Sequence, residues 1–171
     1  MRDPYTAGHQ RRVAEICVAI AGVLGMAPEQ KRTLEIAALL HDVGKVLVPI
    51  EILACPGHLS AAQTRLVEAH VQAGYEILSD MVGPSPVAQI VLQHHERLDG
   101  SGYPQGLKGN DILLEARILG VADTAEAMSS HRPYRPAQGR DAARHELDIN
   151  RGILYDGDVV DAFLTVFGPT E

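Results

Sequence analysis

The spacing of apolar residues along the chain predicts helices from one end to the other. Near the N-terminus apolar residues recur at helical spacing, and Gly25 follows them as a stop signal: Val13, Ile16, Cys17, Ile20, Val23 and Leu24. Pro28 suits the first turn of a second helix, which the pattern continues to Leu40. No sustained alternation of apolar and polar residues indicates a strand. The pattern therefore predicts an all-α domain.

Capping residues mark the starts of the next helices. Ser60 and Gln63 have the spacing of a capping box, which predicts a helix running toward residue 70. Residues 73–81 form the next predicted helix, and the breakers "GPSP" end it. Ser85 as N-cap and Pro86 in the first turn then open a helix that ends in two adjacent histidines.

Glycines and prolines separate the remaining predicted elements. Residues 48–57, "VPIEILACPG", read as a short irregular link, and the four glycines within residues 99–110 require a loop. Three further helices are predicted over residues 113–129, 141–148 and 158–167.

Composition supports one compact domain over residues 1–171. The chain is 46% hydrophobic but only 4% aromatic, so Ala, Leu, Ile and Val must form most of the core, as in close-packed helices. The opening "MRDPYTAGH" starts abruptly beside a candidate motif, so we expect the domain to be one module of a longer regulatory protein.

Charge and cysteine content exclude several classes of partner. The net charge of −7 argues against binding to long nucleic acid or to an anionic membrane surface. No run of about 18 apolar residues could span a membrane, and the N-terminus lacks a signal-peptide pattern. Cys17 and Cys55 lack metal-motif spacing, which favours reduced thiols and a cytoplasmic location.

Several ionisable residues stand in apolar surroundings where they are costly. Taken singly, each has an ordinary explanation, such as a polar helix end, a surface histidine or a satisfied core histidine. Asp123 is the exception, because a lone carboxylate in "ILGVADTAEAM" needs a partner or a cation. The unusual residues are His9, His41, Asp42, His70, His94, His95 and Asp123.

A metal centre is a common cause for all of them. Imidazole and carboxylate ligands suit Fe, Mn, Zn, Ni or Co. Successive residues of a helix point about 100° apart, so neighbours such as His41 and Asp42 can face different ions. A carboxylate can bridge two ions, which makes Asp42 the natural bridge. The expected ligands are His9, His41 and Asp123 for one ion and His70, His94 and His95 for the other.

Three motifs resemble the HD-GYP subgroup of the HD-domain phosphohydrolases: "HDVGK" (41–45), "HHERLDGSGYP" (94–104) and "ARILGVADTAEAM" (116–128). The segments "DPYTAGHQRRVA" and "YDGDVVDAFL" resemble it too, so the similarity extends over nearly the whole chain. The resemblance implies a compact helical bundle with a Gly-rich GYP loop, and a metal-dependent phosphodiesterase. Its implied substrate is cyclic di-GMP, and its products are pGpG and, in some members, GMP.

Substrate residues follow partly from the resemblance and partly from side-chain chemistry. The resemblance places Asp3, Arg132 and Arg135 at the substrate, and guanidinium groups suit phosphate contact. Lys45, one turn after Asp42, can neutralise phosphate charge or position the leaving oxygen, which gives both residues catalytic roles.

The loop from Gly100 to Pro104 allows close approach of its backbone to a ligand. Tyr103 can then stack on a guanine base or form a hydrogen bond, or alternatively pack inward as a structural residue. An ion pair between Glu96 and Arg97 is expected to orient the two preceding histidines.

The chain also departs from the family pattern. Members with a third metal carry Glu four residues before the first histidine, where this chain has Tyr5, so the resemblance implies two divalent ions, Fe or Mn ahead of Zn, Ni or Co. Val71 follows His70 where many members have proline, which leaves the ligand intact. His131 and Pro136 stand where Asp and Lys are common.

Two other functions stay open on the sequence. One is an HD hydrolase acting on another cyclic dinucleotide or on a dNTP, although the GYP loop argues against dNTPs. The other is a non-catalytic nucleotide sensor, or a module that docks diguanylate cyclase domains through the GYP loop. A pure sensor need not retain seven ligands, which favours the enzyme.

Overall fold

The computed structural model describes residues 4–55, 57–83, 85–130 and 139–168. Within these ranges the chain folds into α-helices and two 3₁₀ helices, and the predicted all-α class is confirmed. The α-helices are α1 Pro4–Val23, α2 Pro28–Leu40, α3 Ile50–Leu53, α4 Ala61–Glu68, α5 His70–Val82, α6 Pro86–Gln93, α7 Leu114–Ser129, α8 Arg140–Ile149 and α9 Gly157–Phe167. The 3₁₀ helices are Val43–Leu47 and Gly109–Asp111.

Local sequence signals explain where several helices begin. The Ser60 hydroxyl accepts the Gln63 amide, while the Gln63 side chain accepts the Ser60 amide at 2.9 Å, so the predicted capping box forms. The Ser85 hydroxyl accepts the Ala88 amide at 3.2 Å and caps α6 as predicted.

The segment 48–57 differs from its prediction as an irregular link. Ile50–Leu53 forms the single turn α3, because the carbonyl of Pro49 accepts the amides of Ile52 and Leu53. Breakers at both ends of the segment kept this turn short but did not prevent it.

Helix α7 lies at the centre of the bundle, where it packs against α1, α2, α6, α8 and α9. Helix α1 also packs against α2 and α9, and α5 packs against α6 and the first 3₁₀ helix. Aliphatic side chains fill the interior, with Ile20, Leu34, Ile118 and Leu119 fully buried. The core is therefore aliphatic, as composition predicts.

Three helix ends converge on one region of the bundle. Helices α2 and α6 end immediately before His41 and His94, and α4 ends two residues before His70. Across the described ranges, no helix combines the length and the apolar character that crossing a membrane requires.

Candidate metal centre

Three histidines share one local structure, in which the side chain turns back onto the end of its helix. The Nδ1 atoms of His41, His70 and His94 each lie 2.7 Å from the carbonyl oxygen three residues earlier. Those carbonyls belong to last helical turns, whose oxygens lack partners within the helix. Since a carbonyl can only accept, Nδ1 must donate, and each Nε2 carries a lone pair.

The three Nε2 atoms point into the protein interior. His41 and His70 are each 1% exposed and His94 is fully buried, and none of their Nε2 atoms has a hydrogen-bond partner among the described residues. Buried nitrogen lone pairs are costly without a partner. Divalent cations would satisfy all three, so these residues fit a metal site.

All seven predicted ligands lie together in the structure. The ligand atoms of His9, His41 and Asp123 lie within 4.8 Å of one another, and those of His70, His94 and His95 form a second such group. In the first group, Asp123 Oδ1 lies 3.2 Å from His9 Nε2 and 3.8 Å from His41 Nε2.

Asp42 lies between the two groups. Its Oδ1 is 3.5 Å from Nε2 of His41 and 3.7 Å from Nε2 of His70, one imidazole from each group. Lys45 Nζ lies 2.7 Å from the same oxygen, and its side chain is 31% exposed. One carboxylate therefore faces both imidazole groups and one lysine.

The two carboxylates of the site are held in the charged form. Burial alone would raise the pKa of Asp42, but the ammonium of Lys45 beside it holds that pKa below its usual value. Burial would also raise the pKa of Asp123, yet the hydrogen bond from the charged imidazole of His9 holds it well below the usual range.

The second imidazole group is held neutral. Burial lowers the pKa of His70 and His94, and that of His94 falls well below its ordinary value. Burial also lowers the pKa of His95 to about 3, with repulsion from the Arg97 guanidinium acting in the same direction. Neutral imidazoles can bind a cation without first losing a proton.

His9 differs from the histidines of the second imidazole group because a carboxylate binds its ring. Its Nδ1 donates to Oε2 of Glu126, a residue that the sequence analysis did not single out. Burial alone would lower the pKa of His9, but the hydrogen bonds to Asp123 and Glu126 outweigh it and raise the pKa to about 9.

A carboxylate inside the protein holds the GYP loop, residues 99–110, by hydrogen bonds. The Glu96 carboxylate is 5% exposed and accepts the amides of Gln105 at 2.7 Å and Leu107 at 3.0 Å. The predicted ion pair between Glu96 and Arg97 is therefore wrong, because loop amides occupy the carboxylate. Arg97 Nη1 instead donates to the main-chain oxygen of Glu96 at 2.9 Å, and its guanidinium lies over the ring of Tyr155.

Tyr103 contacts the candidate metal centre directly. Its ring stacks on the His95 imidazole, with centroids 4.9 Å apart and planes at 25°. Gly102 makes this approach possible, because a Cβ there would lie 2.4 Å from the main-chain oxygen of His95. One face of the Tyr103 ring is thus covered by His95.

Several predicted site residues lie outside the described ranges, namely Asp3, Arg132 and Arg135. The departures at His131 and Pro136 also lie outside them, as does the side chain of Tyr5. The structure therefore leaves their predicted roles as predictions.

Gln93 is a supporting residue that the sequence analysis missed. It is 8% exposed, and its Oε1 accepts the amide of Leu113 at 2.9 Å, which ties the start of α7 to the end of α6. A buried amide side chain directly before His94 in an apolar helix was the available signal.

Comparisons with known proteins identify the family of the chain. A model of the HD domain family matches residues 1–159. The chain is 43% identical over 169 residues to the cyclic di-GMP phosphodiesterase response regulator RpfG of Xanthomonas campestris, covering 95% of this chain and 44% of that protein. It is 43% identical over 149 residues to 3'3'-cGAMP-specific phosphodiesterase 3 of Vibrio cholerae, covering 87% and 32% respectively. The chain thus spans less than half the length of either relative.

A solved structure shares the fold. A protein of Bdellovibrio bacteriovorus described as an HDGYP protein superposes with a TM-score of 0.78 at 22% identity, covering 96% of this chain and 53% of that one. At this identity the likeness concerns the helical fold alone.

Proposed function

Because the chain belongs to the HD-domain family and, by its motifs, to the HD-GYP subgroup, we propose that it is a cyclic di-GMP phosphodiesterase. The reaction is metal-dependent hydrolysis of a phosphodiester bond to give pGpG and, where cleavage continues, GMP. The observation that carries this proposal is the set of three buried, unpartnered Nε2 atoms beside Asp42 and Asp123.

Two divalent ions fit the two ligand groups, with Fe or Mn ahead of Zn, Ni or Co. Asp42 would be the shared ligand, because its oxygen faces one imidazole of each group. Such ions, when bound, supply a lowered pKa for water and neutralise charge on phosphoryl oxygens. The chain's own contribution is to hold the imidazoles of His70, His94 and His95 neutral and to fix the orientation of the His70 and His94 rings by hydrogen bonds from Nδ1.

Lys45 is placed to act on the substrate. Its ammonium contacts Asp42 while its side chain remains partly exposed, so it can neutralise a phosphate oxygen or position the leaving oxygen. Asp3, Arg132 and Arg135, all outside the described residues, complete the proposed substrate site, with the arginines on the phosphates.

Anaerobic purification tests the proposal directly. Elemental analysis should find two transition-metal ions per chain, and the same sample should convert cyclic di-GMP to pGpG. Treatment with a chelator should remove both the metal and the activity, and addition of Mn²⁺ or Fe²⁺ should restore both. Equal turnover by the metal-free chain, or three bound ions per chain, would contradict the proposal.

Another cyclic dinucleotide is the second candidate substrate. The relative from Vibrio cholerae, whose name specifies 3'3'-cGAMP, matches this chain at the same identity as the cyclic di-GMP relative. Comparison of kcat/KM for cyclic di-GMP, 3'3'-cGAMP and cyclic di-AMP separates the candidates. We expect the highest value for cyclic di-GMP.

Removal of the Tyr103 ring should affect substrate binding more than the metal ions. One face of the ring stacks on His95, which leaves the other face for a guanine base. Tyr103→Ala should raise the KM for cyclic di-GMP about tenfold or more, since stacking of a base contributes about 1–3 kcal/mol. Hydrolysis of bis-p-nitrophenyl phosphate, which has no guanine, should change far less.

The control for this prediction is Tyr103→Phe, which keeps the ring and should behave like the wild type. Equal losses with both substrates would mean that Tyr103 acts through His95 instead. Unchanged turnover of both substrates, with loss of binding to a diguanylate cyclase domain, would identify the loop as a docking surface.

A further inference from the structure

His9 differs from the other buried histidines in its position along a helix. His41, His70 and His94 all follow helix ends, where main-chain carbonyls of the last turn accept their Nδ1 protons. His9 lies within α1, Pro4–Val23, where the carbonyl three residues earlier accepts an amide of the helix itself. Its ring must therefore be oriented by a group from elsewhere in the fold.

Glu126 on α7 supplies that group. It is 4% exposed, and its Oε2 accepts the Nδ1 proton of His9. Its other oxygen accepts Nε of Arg12 at 2.6 Å and the hydroxyl of Ser130 at 2.5 Å. Both oxygens are engaged, so the carboxylate has a fixed orientation.

One turn of α7 contacts both nitrogens of the His9 ring. Asp123 and Glu126 are three residues apart and share a helix face. Asp123 Oδ1 lies 3.2 Å from Nε2 of His9, while Glu126 binds Nδ1 on the other side. Nδ1 of His9 is therefore held by Glu126, and Nε2 is directed toward Asp123 and the candidate metal centre.

We propose that Glu126 is the positioning residue of His9, and that it does for this ligand what main-chain carbonyls do for His41, His70 and His94. The inference rests on the proposed function, in which His9 is a metal ligand. A carboxylate on the far nitrogen fixes the tautomer and raises the basicity of the imidazole. Since a side chain supplies the hydrogen bond that orients the His9 ring, a mutation can remove that hydrogen bond.

Binding of Mn²⁺, measured by competition with a fluorescent chelator, tests the proposal without relying on activity. The wild type should bind two ions per chain. Glu126→Ala should weaken one of the two by about 10- to 100-fold and leave the other unchanged, the usual effect of losing such a partner. Glu126→Gln keeps an oxygen acceptor but loses the charge, so it should weaken the same ion by about three- to tenfold.

A double-mutant cycle with His9→Ala separates positioning from a general structural effect. If Glu126 acts through His9, then Glu126→Ala or Glu126→Gln should weaken Mn²⁺ binding no further in the His9→Ala background. Arg12→Ala removes one contact to the same carboxylate but leaves its contacts to His9 and Ser130, so it should lower the melting temperature and weaken Mn²⁺ binding much less than Glu126→Ala does. Glu115→Ala, earlier on α7, is the matched carboxylate control.

Each result supports or overturns the role of Glu126. Equal Mn²⁺ affinities in the wild type, Glu126→Ala and Glu126→Gln would overturn it, as would an equal loss in Arg12→Ala. If Glu126→Ala does not fold, Glu126→Gln and its cycle with His9→Ala decide the question. A wild-type chain that binds no Mn²⁺ would instead overturn the metal centre of the proposed function, and this inference with it.

Discussion

Asp42→Ala is expected to abolish hydrolysis and to release both metal ions while the helices stay folded. Its carboxylate is the group that faces one imidazole of each ligand group. A loss of shared metal ligation removes several kcal/mol of transition-state stabilisation, which corresponds to about a thousandfold or more in kcat. Turnover of cyclic di-GMP and elemental analysis of the same sample measure the two effects.

The variant should remain folded because the Asp42 side chain contributes little to the stability of the fold. Although Asp42 occupies the N-cap position of the first 3₁₀ helix, its side chain makes no capping hydrogen bond. Its close polar contact is the one with Lys45. Asp42→Ala should therefore keep the circular dichroism of the metal-free wild type.

Two further variants serve as controls for Asp42. Asp42→Asn retains the shape but not the charge, so it should also lose metal. Lys45→Ala removes the partner of the carboxylate, and it should reduce turnover while both ions stay bound. Retention of two ions per chain with near-normal activity in Asp42→Ala would refute the bridging role.

Much of this candidate site could be predicted from the sequence because its ionisable residues stand in apolar surroundings. A carboxylate in an apolar run, such as Asp123, and adjacent histidines at a helix end are costly without a shared cation. The helix starts at Ser60 and Ser85 were also predictable, because capping acts within four residues of the chain.

The supporting contacts were harder to predict because they join distant parts of the chain. Glu96 was expected to pair with its neighbour Arg97, but it binds amides of the GYP loop nine and eleven residues later. Glu126 meets His9 across 117 residues. Its spacing from Asp123 was a usable signal, but only with the knowledge that α1 packs against α7.

The glycine of "HDVGK" is a further residue whose role only the structure reveals. Gly44 is buried where the first 3₁₀ helix crosses the start of α5. A Cβ at this position would lie 2.0 Å from the main-chain oxygen of His70 and 2.5 Å from the amide nitrogen of Gly74. Both are backbone atoms, so no side chain can rotate away to make room.

Gly44→Ala is therefore expected to force the first 3₁₀ helix away from α5. This would separate Asp42 from His70, whose facing atoms now lie 3.7 Å apart. Overpacking of this kind costs about 1–3 kcal/mol, and more where the backbone must move. The variant should unfold at lower urea concentration and bind the ion of the His70 group at least about tenfold more weakly.

Gly22→Ala is the matched control for Gly44→Ala. Gly22 lies in α1, and a Cβ added to it would meet no atom within 4 Å, so alanine finds open space there. Alanine in a helix is favoured over glycine by about 0.5–1 kcal/mol, so this control should be slightly stabilised, with unchanged metal content. If Gly44→Ala matched the wild type in both urea midpoint and Mn²⁺ affinity, close packing at Gly44 would not be what holds Asp42 beside His70.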